Sequence, residues 1–421
     1  MKKIWLTILT LLAFYQSCYS QSFTSNLDSV MRLIAKDSLF HGQVLIAENK
    51  EVVFHEAYGK FQNGDSLKQI TKNTPFNIAS VTKAFTAVSV LILFNDGKLT
   101  LQDELTDYFP QLPYKGVSLY NLLTMTSGLP RFLETVLKYA DKDEIVGNQE
   151  IIEYIARYQP ASGKPGVNFN YNNSNYLLLA SIIEKVSGVS YQQFIDSRIF
   201  KKLQMKNSYV ITVDDFRNQD GPINADNFYQ PYGEGNIYST AADLYKFEQA
   251  LYADRLLPQK YVQMLFRPTI LESGDSSPYG LAWKINTDDN QNEVRIIGDG
   301  SDTRVSIQRF LSEQHSLIYV HAYSATNFKD VYPVIKNIWR GLDYVVPVRR
   351  KPYSIDTRLY EQYIGKYLSP TFGLLHVTSE VGKLYIRPDP VPGREELIPS
   401  TNTTFYFGHQ DLEWEFFKDE A

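Results

Sequence analysis

The chain has 421 residues, of which 43% are hydrophobic, 21% charged and 14% aromatic, with a formal net charge of −5. There is ample apolar material for a packed core, which excludes disordered, collagenous and low-complexity classes, and no Lys/Arg block marks a nucleic-acid binder. A single cysteine excludes a disulfide framework and a cysteine-based zinc site.

Residues 1–20 read as a targeting segment. Lys2 and Lys3 precede an apolar run from Ile4 to Phe14, and the small residues Cys18 and Ser20 follow. This pattern predicts a secretory signal peptide, too short for a membrane span, cleaved after Ser20 to leave Gln21 at the N-terminus. The alternative is a lipid anchor on Cys18, but that signal wants an aliphatic residue where Tyr15 stands. No later run is long and apolar enough for a transmembrane segment, so an exported protein, periplasmic or secreted, is expected.

A short amphipathic helix is predicted around Leu27 to Ile34. Gly42 to Ala57 reads as a hairpin with Glu48-Asn49-Lys50 at its turn and Val44, Ile46, Val53 and Phe54 on its apolar face. Ala79 to Phe94 is apolar on nearly every side, as a helix buried mid-domain would be, and Asn95-Asp96-Gly97 stops it. A second helix spans Ser174 to Val186, and a third starts at Thr240, where Thr240 and Asp243 have capping-box spacing. Val294 to Ile297, Arg304 to Phe310 and Ser316 to Ala322 read as consecutive strands. Helices set between early and late strands imply a mixed α/β layer fold whose sheet joins the chain ends.

The composition shifts at VVPVRRKP, residues 345–352. The expected organisation is a main domain over 21–345, a linker at 346–352 and a small all-β domain over 353–421. Leu374 to Val377, Lys383 to Arg387 and Leu412 to Phe417 alternate like the strands of that last domain.

Ser80-Val81-Thr82-Lys83 heads the buried helix. A Ser and a Lys three apart lie on one helix face, within reach of each other. Serine is a weak nucleophile until a base takes its proton, and burial disfavours the charged form of a lysine, which lets it act as that base. Helix N-terminal N–H groups near Ser80 offer an oxyanion hole. The bland reading is an ordinary serine beside a surface lysine. Against it, Lys83 is the only basic residue between Lys72 and Lys98 and enters the most apolar helix, where an unpartnered ammonium is costly. Tyr171-Asn172-Asn173 precedes the second helix. It reads either as a proton-relaying phenol with a substrate-orienting amide or as a core aromatic with a helix cap at Asn173.

Taken together, these segments resemble the serine β-lactamase and penicillin-binding family, in the branch of class C β-lactamases, D-alanyl-D-alanine carboxypeptidases and related esterases. The resemblance covers most of residues 24–340. Its landmarks are FNIASVTKAFTA (76–87), GKLTLQDELTDYFP (97–110), LLTMTSGLP (122–130), PGVNFNYNNSNYLLLASIIEKVSG (165–188), NIYSTAADLYKF (236–247) and YGLAWKI (279–285). It implies a β-lactamase/transpeptidase-like fold: an antiparallel sheet flanked by helices, with a helical subdomain, followed by a small all-β domain. LYEQYIGKY (359–367) is the best match to the β-domain appended to many relatives. It further implies Ser80 as the acylated nucleophile, Lys83 as its base, Tyr171 as the second proton-transfer residue and Asn173 as a substrate contact.

Two departures stand out. Met125 occupies a place where histidine is usual. The third active-site motif, normally Lys-Thr-Gly or His-x-Gly, is not recognisable at Gly298-Asp299-Gly300, where either Gly298 or Asp299 replaces the cation. Asp299 or Asp302 would repel an anionic substrate. Arg304, read on the same strand parity as Gly298 and Gly300, is a candidate compensating cation, whereas Arg295 lies on the opposite parity. Gly300 and the backbone N–H near Ser301 are expected to serve substrate and oxyanion. No metal or cofactor is expected: the six histidines show no paired helical spacing, Asp288, Asp289 and Glu293 read as a solvated hairpin tip, and no phosphate loop is present. The expected function is a serine acyl-hydrolase acting on a small-molecule or peptide-like ester or amide. The alternative is a binding protein on the same fold, weakened by the lost cation.

Overall fold

The computed structural model describes residues 23–63, 66–141, 145–160, 162–217, 229–286, 293–300, 303–322, 331–347, 353–369, 373–389, 393–407 and 413–417. The expected signal segment, the Asp288-Asp289 tip, Ser301, Asp302 and residues 348–352 of the expected linker lie outside them. The fold is mixed α/β, and contacts group the chain into two units, residues 43–57 with 71–321 and residues 1–42 with 58–70 and 322–421.

In the larger unit a six-stranded sheet runs in the order β4-β5-β6-β7-β1-β2. Its strands are β1 (His41–Glu48), β2 (Glu51–Tyr58), β4 (Lys284–Asn286), β5 (Glu293–Asp299), β6 (Thr303–Phe310) and β7 (His315–Ala322), and early and late strands meet in one sheet as the sequence implies. The β1–β2 hairpin turns on Asn49 and Lys50, both at positive φ. Two successive left-handed residues match the twist of the flanking strands. The short strand β3 (Ile237–Ser239) pairs with Phe76–Asn77 and with Tyr209–Val210 in a separate ribbon.

Helix α2 (Thr82–Asn95) is buried from Thr82 through Leu93, as its all-round apolar sequence predicts. The serine precedes it in a 3-10 turn, Ala79–Val81, rather than inside the α-helix. Helix α4 (Asn173–Ser187) packs on α2, and its N-cap is Asn172, not Asn173. Thr240 caps α5 (Ala241–Ala250) by accepting from Asp243 N at 3.2 Å. The Asp243 carboxylate makes no reciprocal bond, because Asn207 N, Ser208 Oγ and Lys246 Nζ already occupy it at 2.6–3.0 Å. Glu293 is not part of a solvated tip: it is buried in β5 and accepts from Gln308 Nε2 at 3.0 Å.

The smaller unit contains a helix over 23–36 (α1), a two-stranded ribbon at Lys60–Asn63 and Ser66–Gln69, and α6 (Tyr332–Arg340). It also contains a six-stranded antiparallel meander, in which every strand pairs with the next. That meander comprises β8 (Gly365–Ser369), β9 (Gly373–Glu380), β10 (Lys383–Pro388), β11 (Glu395–Pro399), β12 (Thr404–Phe407) and β13 (Glu413–Glu415). Its core is Leu375, Val377, Leu384, Ile386, Leu397 and Phe405 from the sheet, closed by Tyr360 and Tyr363. Among the described residues no helix is long and apolar enough to cross a membrane.

Candidate active site

The corner that presents Ser80 is built by local hydrogen bonds. Asn77 Oδ1 accepts from Ala79 N at 2.8 Å, and Ile78 O accepts from Val81 N at 3.0 Å. Ala79 sits at φ +45°, a left-handed conformation that costs a residue with a Cβ roughly 1–2 kcal/mol. Thr303 Oγ1, at the start of β6, donates to Asn77 O at 2.8 Å and ties the corner to the sheet. The end of β5 lies directly behind it. A Cβ on Gly298 would come within 2.1 Å of Ile78 O and 3.0 Å of Ser80 N, so no side chain of any kind fits there. Gly298 is therefore a packing glycine and not the vacant place of a cation. The position that faces the cleft is Asp299.

Lys83 enters the first turn of α2 and is fully buried. Its Nζ donates to Ser80 Oγ at 2.9 Å, to Glu234 O at 3.0 Å and to Glu234 Oε2 at 3.3 Å. Those three acceptors match the three hydrogens of an ammonium, which removes most of the cost of burying it. The rings of Tyr171 and Tyr176 cover the amine at 5.2 and 5.9 Å. Sequence reasoning passed over Glu234. The usable signal was the demand of a buried lysine for an acid, and Glu234 stands between two glycines just ahead of the NIYSTAADL segment.

Tyr171 is presented by a pinned turn. Asn172 caps α4 by accepting from Ser174 N at 3.0 Å, and it donates to Leu129 O at 2.7 Å and Pro130 O at 3.2 Å. Ser174 Oγ donates to Pro130 O and accepts from Phe132 N, both at 2.8 Å. Met125, buried at φ +59°, accepts at its Sδ from Asn172 N at 3.3 Å and from Asn175 Nδ2 at 3.2 Å. The Tyr171 ring packs edge-on against Tyr279 at 6.2 Å. Burial pushes the phenols of Tyr176 and Tyr279 well above 10.

A cleft of about 670 Å³ opens over the serine. Ser80, Tyr171, Asn173, Glu234, Asp299 and Gly300 line it, with Arg131 at the start of α3 (Phe132–Tyr139). Asn173 Oδ1 is buried with no hydrogen-bond partner among the described residues. Of the expected site residues, Ser80, Tyr171, Asn173 and Gly300 thus share one cleft, and Lys83 lies beneath it in contact with Ser80. Ser301 is outside the described residues.

The strand parity assigned to Arg304 is corrected. In the β5–β6 register Asp299 faces Arg304 and Gly298 faces Val305, so Arg304 shares a sheet face with Asp299. Parity counted straight from β5 into β6 ignores this antiparallel register and gives the opposite face. Arg304 is not among the cleft-lining residues, whereas Arg131 is.

The arrangement pairs a hydroxyl with a buried amine, sets a phenol over that amine and opens the hydroxyl to a cleft. These are the parts of nucleophilic acyl transfer. The chain is 28% identical over 434 residues to penicillin-binding protein 4* of Bacillus subtilis (strain 168), covering 94% of each protein. Its fold is similar to the octameric penicillin-binding protein homologue from Pyrococcus abyssi, with a TM-score of 0.62 at 19% identity, covering 94% of this chain and 96% of that one. It is also similar to D-amino acid amidase from Ochrobactrum anthropi SV3, with a TM-score of 0.61 at 21% identity, covering 76% of this chain and 99% of that one. The beta-lactamase family model matches residues 32–321, the span that holds every part of this cleft, and the chain belongs to the beta-lactamase family.

Proposed function

We propose that the protein is an exported serine acyl-hydrolase that cleaves an ester or amide through an acyl-enzyme on Ser80. The observation that carries this reading is the 2.9 Å contact between Lys83 Nζ and Ser80 Oγ at the floor of an open cleft. The neutral amine takes the Ser80 proton as Oγ attacks the carbonyl carbon. The Ser80 N–H and a main-chain N–H from the segment after Gly300 receive the developing oxyanion. Tyr171, with its ring over the amine, relays the proton to the leaving group, and water then releases the acyl chain by the reverse path. Asn173, with its unpartnered Oδ1, orients the substrate's amide or ester.

Membership of a family that includes penicillin-binding proteins, and similarity to a D-amino acid amidase, support hydrolysis of peptide-like amides or esters. Asp299 lines the cleft where relatives place a cation, which disfavours a carboxylate on that side of the substrate. The same observation favours a second reading, a binding protein with little turnover. Residues 1–20 supply the export signal in this proposal, and residues 353–421 form an appended β-domain after a linker at 346–352.

Turnover of activated esters and of amino acid amides by wild type and Ser80→Ala separates the readings. Turnover lost in Ser80→Ala supports the hydrolase. Ligand binding with no turnover above Ser80→Ala supports the binding protein. Covalent labelling by a fluorescent penicillin would contradict the disfavoured carboxylate.

A further inference from the structure

Acyl transfer by Ser80, Lys83 and Tyr171 leaves one side chain of the cleft without a task. Glu234 reaches Lys83 twice, through its carbonyl at 3.0 Å and its carboxylate at 3.3 Å. The lysine side chain is 0% exposed and that of Glu234 is 16% exposed, so of the pair only the glutamate meets the cleft. The other groups facing the amine are the Ser80 hydroxyl on the 3-10 turn, the Tyr171 ring just ahead of α4 and the Tyr176 ring in its first turn. Tyr176 donates its phenol to Leu123 O at 2.8 Å, and burial keeps it and its neighbour Tyr279 protonated. Arg131 and Asp299 line the same cleft without touching the amine. Among the described residues, Glu234 is the one carboxylate within ion-pair distance of Lys83.

We infer that Glu234 is a positioning residue for the nucleophile: its carboxylate holds the Lys83 amine on Ser80 and sets the pH range over which the serine reacts. The inference rests on the acyl-enzyme reading. In the step concerned the Ser80 O–H bond breaks as a new N–H bond forms on Lys83. The bond from Oγ to the acyl carbon forms as the leaving-group bond breaks, and the proton passes on to the leaving group. Glu234 changes no bond. Its charge favours the ammonium, which stabilises the product of proton transfer but also keeps the free amine scarce at low pH.

The test is the second-order rate of labelling of the full-length protein by a fluorophosphonate across pH 5–10, in wild type, Glu234→Gln and Glu234→Asp, with melting temperatures alongside. Glu234→Gln keeps the shape and the main-chain carbonyl and removes the charge. Its acidic limb is expected about one pH unit or more below that of wild type, with a plateau roughly tenfold lower. Glu234→Asp keeps the charge and is expected to restore the wild-type limb. A merely structural role would change melting without moving the limb. Superimposable profiles for wild type and Glu234→Gln overturn the inference and leave the acyl-enzyme standing. A wild type that labels at no pH overturns both.

Discussion

The sulfur of Met125 stands 3.3 Å from the main-chain nitrogen of Asn172 and accepts its hydrogen bond. A thioether thus serves as acceptor beneath the turn that carries Tyr171. The same sulfur also takes the Asn175 amide, whose oxygen in turn accepts from Ser127 Oγ at 2.5 Å. Met125→Leu conserves volume but leaves two buried N–H groups unpaired. The expected cost is ~1–3 kcal/mol, with slower labelling of Ser80, because the tyrosine turn loses its support. Met125→His offers a ring nitrogen in place of sulfur and is expected to retain most of both. Thermal denaturation and phosphonate labelling check the pair.

Two glycines separated by a single residue, Gly298 and Gly300, are expected to respond differently to alanine. At Gly298 the added carbon would press to 2.1 Å from Ile78 O, so the strand and the nucleophile corner must separate. Gly298→Ala is expected to destabilise the fold by ~1–3 kcal/mol and to abolish reactivity at Ser80. At Gly300 the nearest atom is Thr303 Oγ1 at 3.3 Å, and a small adjustment accommodates the methyl. Melting curves and labelling of both variants decide this.

Arg131 and Asp299 both line the cleft and are expected to govern its selection by charge. Arg131 is exposed and makes no ion pair among the described residues. For a matched series of esters with anionic, neutral and cationic acyl groups, Arg131→Gln is expected to lower kcat/KM for the anionic member about tenfold. Asp299→Asn is expected to raise it by a similar factor, with neutral esters little changed in both. Equal effects across the series would remove both residues from substrate recognition.

Away from the cleft, Arg309 and Glu248 form an ion pair at 3.1 Å with both side chains fully buried. Burial raises the Glu248 carboxyl and pushes Arg309 down to about 10, against the opposing pull of each partner's charge. Breaking the pair by Glu248→Gln or Arg309→Met is expected to cost ~3–5 kcal/mol, and the double change to methionine much less. A raised folded-state carboxyl contributes stability that is complete below its unfolded value and lost as pH rises through the folded one. The stability difference between wild type and Glu248→Gln is therefore expected to shrink over that rise, measured by denaturant unfolding at several pH values.

The Ser80–Lys83 contact was legible because one basic residue entering an apolar helix needs a reason, and the C-terminal ends of α2 and α4 because their stop residues, Asp96-Gly97 and Gly188, are local. Glu234 was not legible: it is 151 positions from Lys83, and only the folded chain brings the two together. Arg304 was misplaced for a related reason. The face it occupies depends on the register between β5 and β6, and an error of one residue there exchanges the faces of a strand. Six strands rather than three make up the C-terminal meander, because segments such as Glu395–Pro399 bury too few residues to show a clear alternation. The asparagine that caps α4 was misassigned by one position, since Asn172 and Asn173 are the same residue type and only backbone geometry tells them apart.

The most direct measurement is the intact mass of the full-length protein after fluorophosphonate treatment, followed by peptide mapping, for wild type, Ser80→Ala and Lys83→Met. The expected result is a single adduct on the peptide that contains Ser80, absent in Ser80→Ala and formed at least about a hundredfold more slowly in Lys83→Met. No adduct on the wild type, or one that persists in Ser80→Ala, would contradict a nucleophilic Ser80 activated by Lys83.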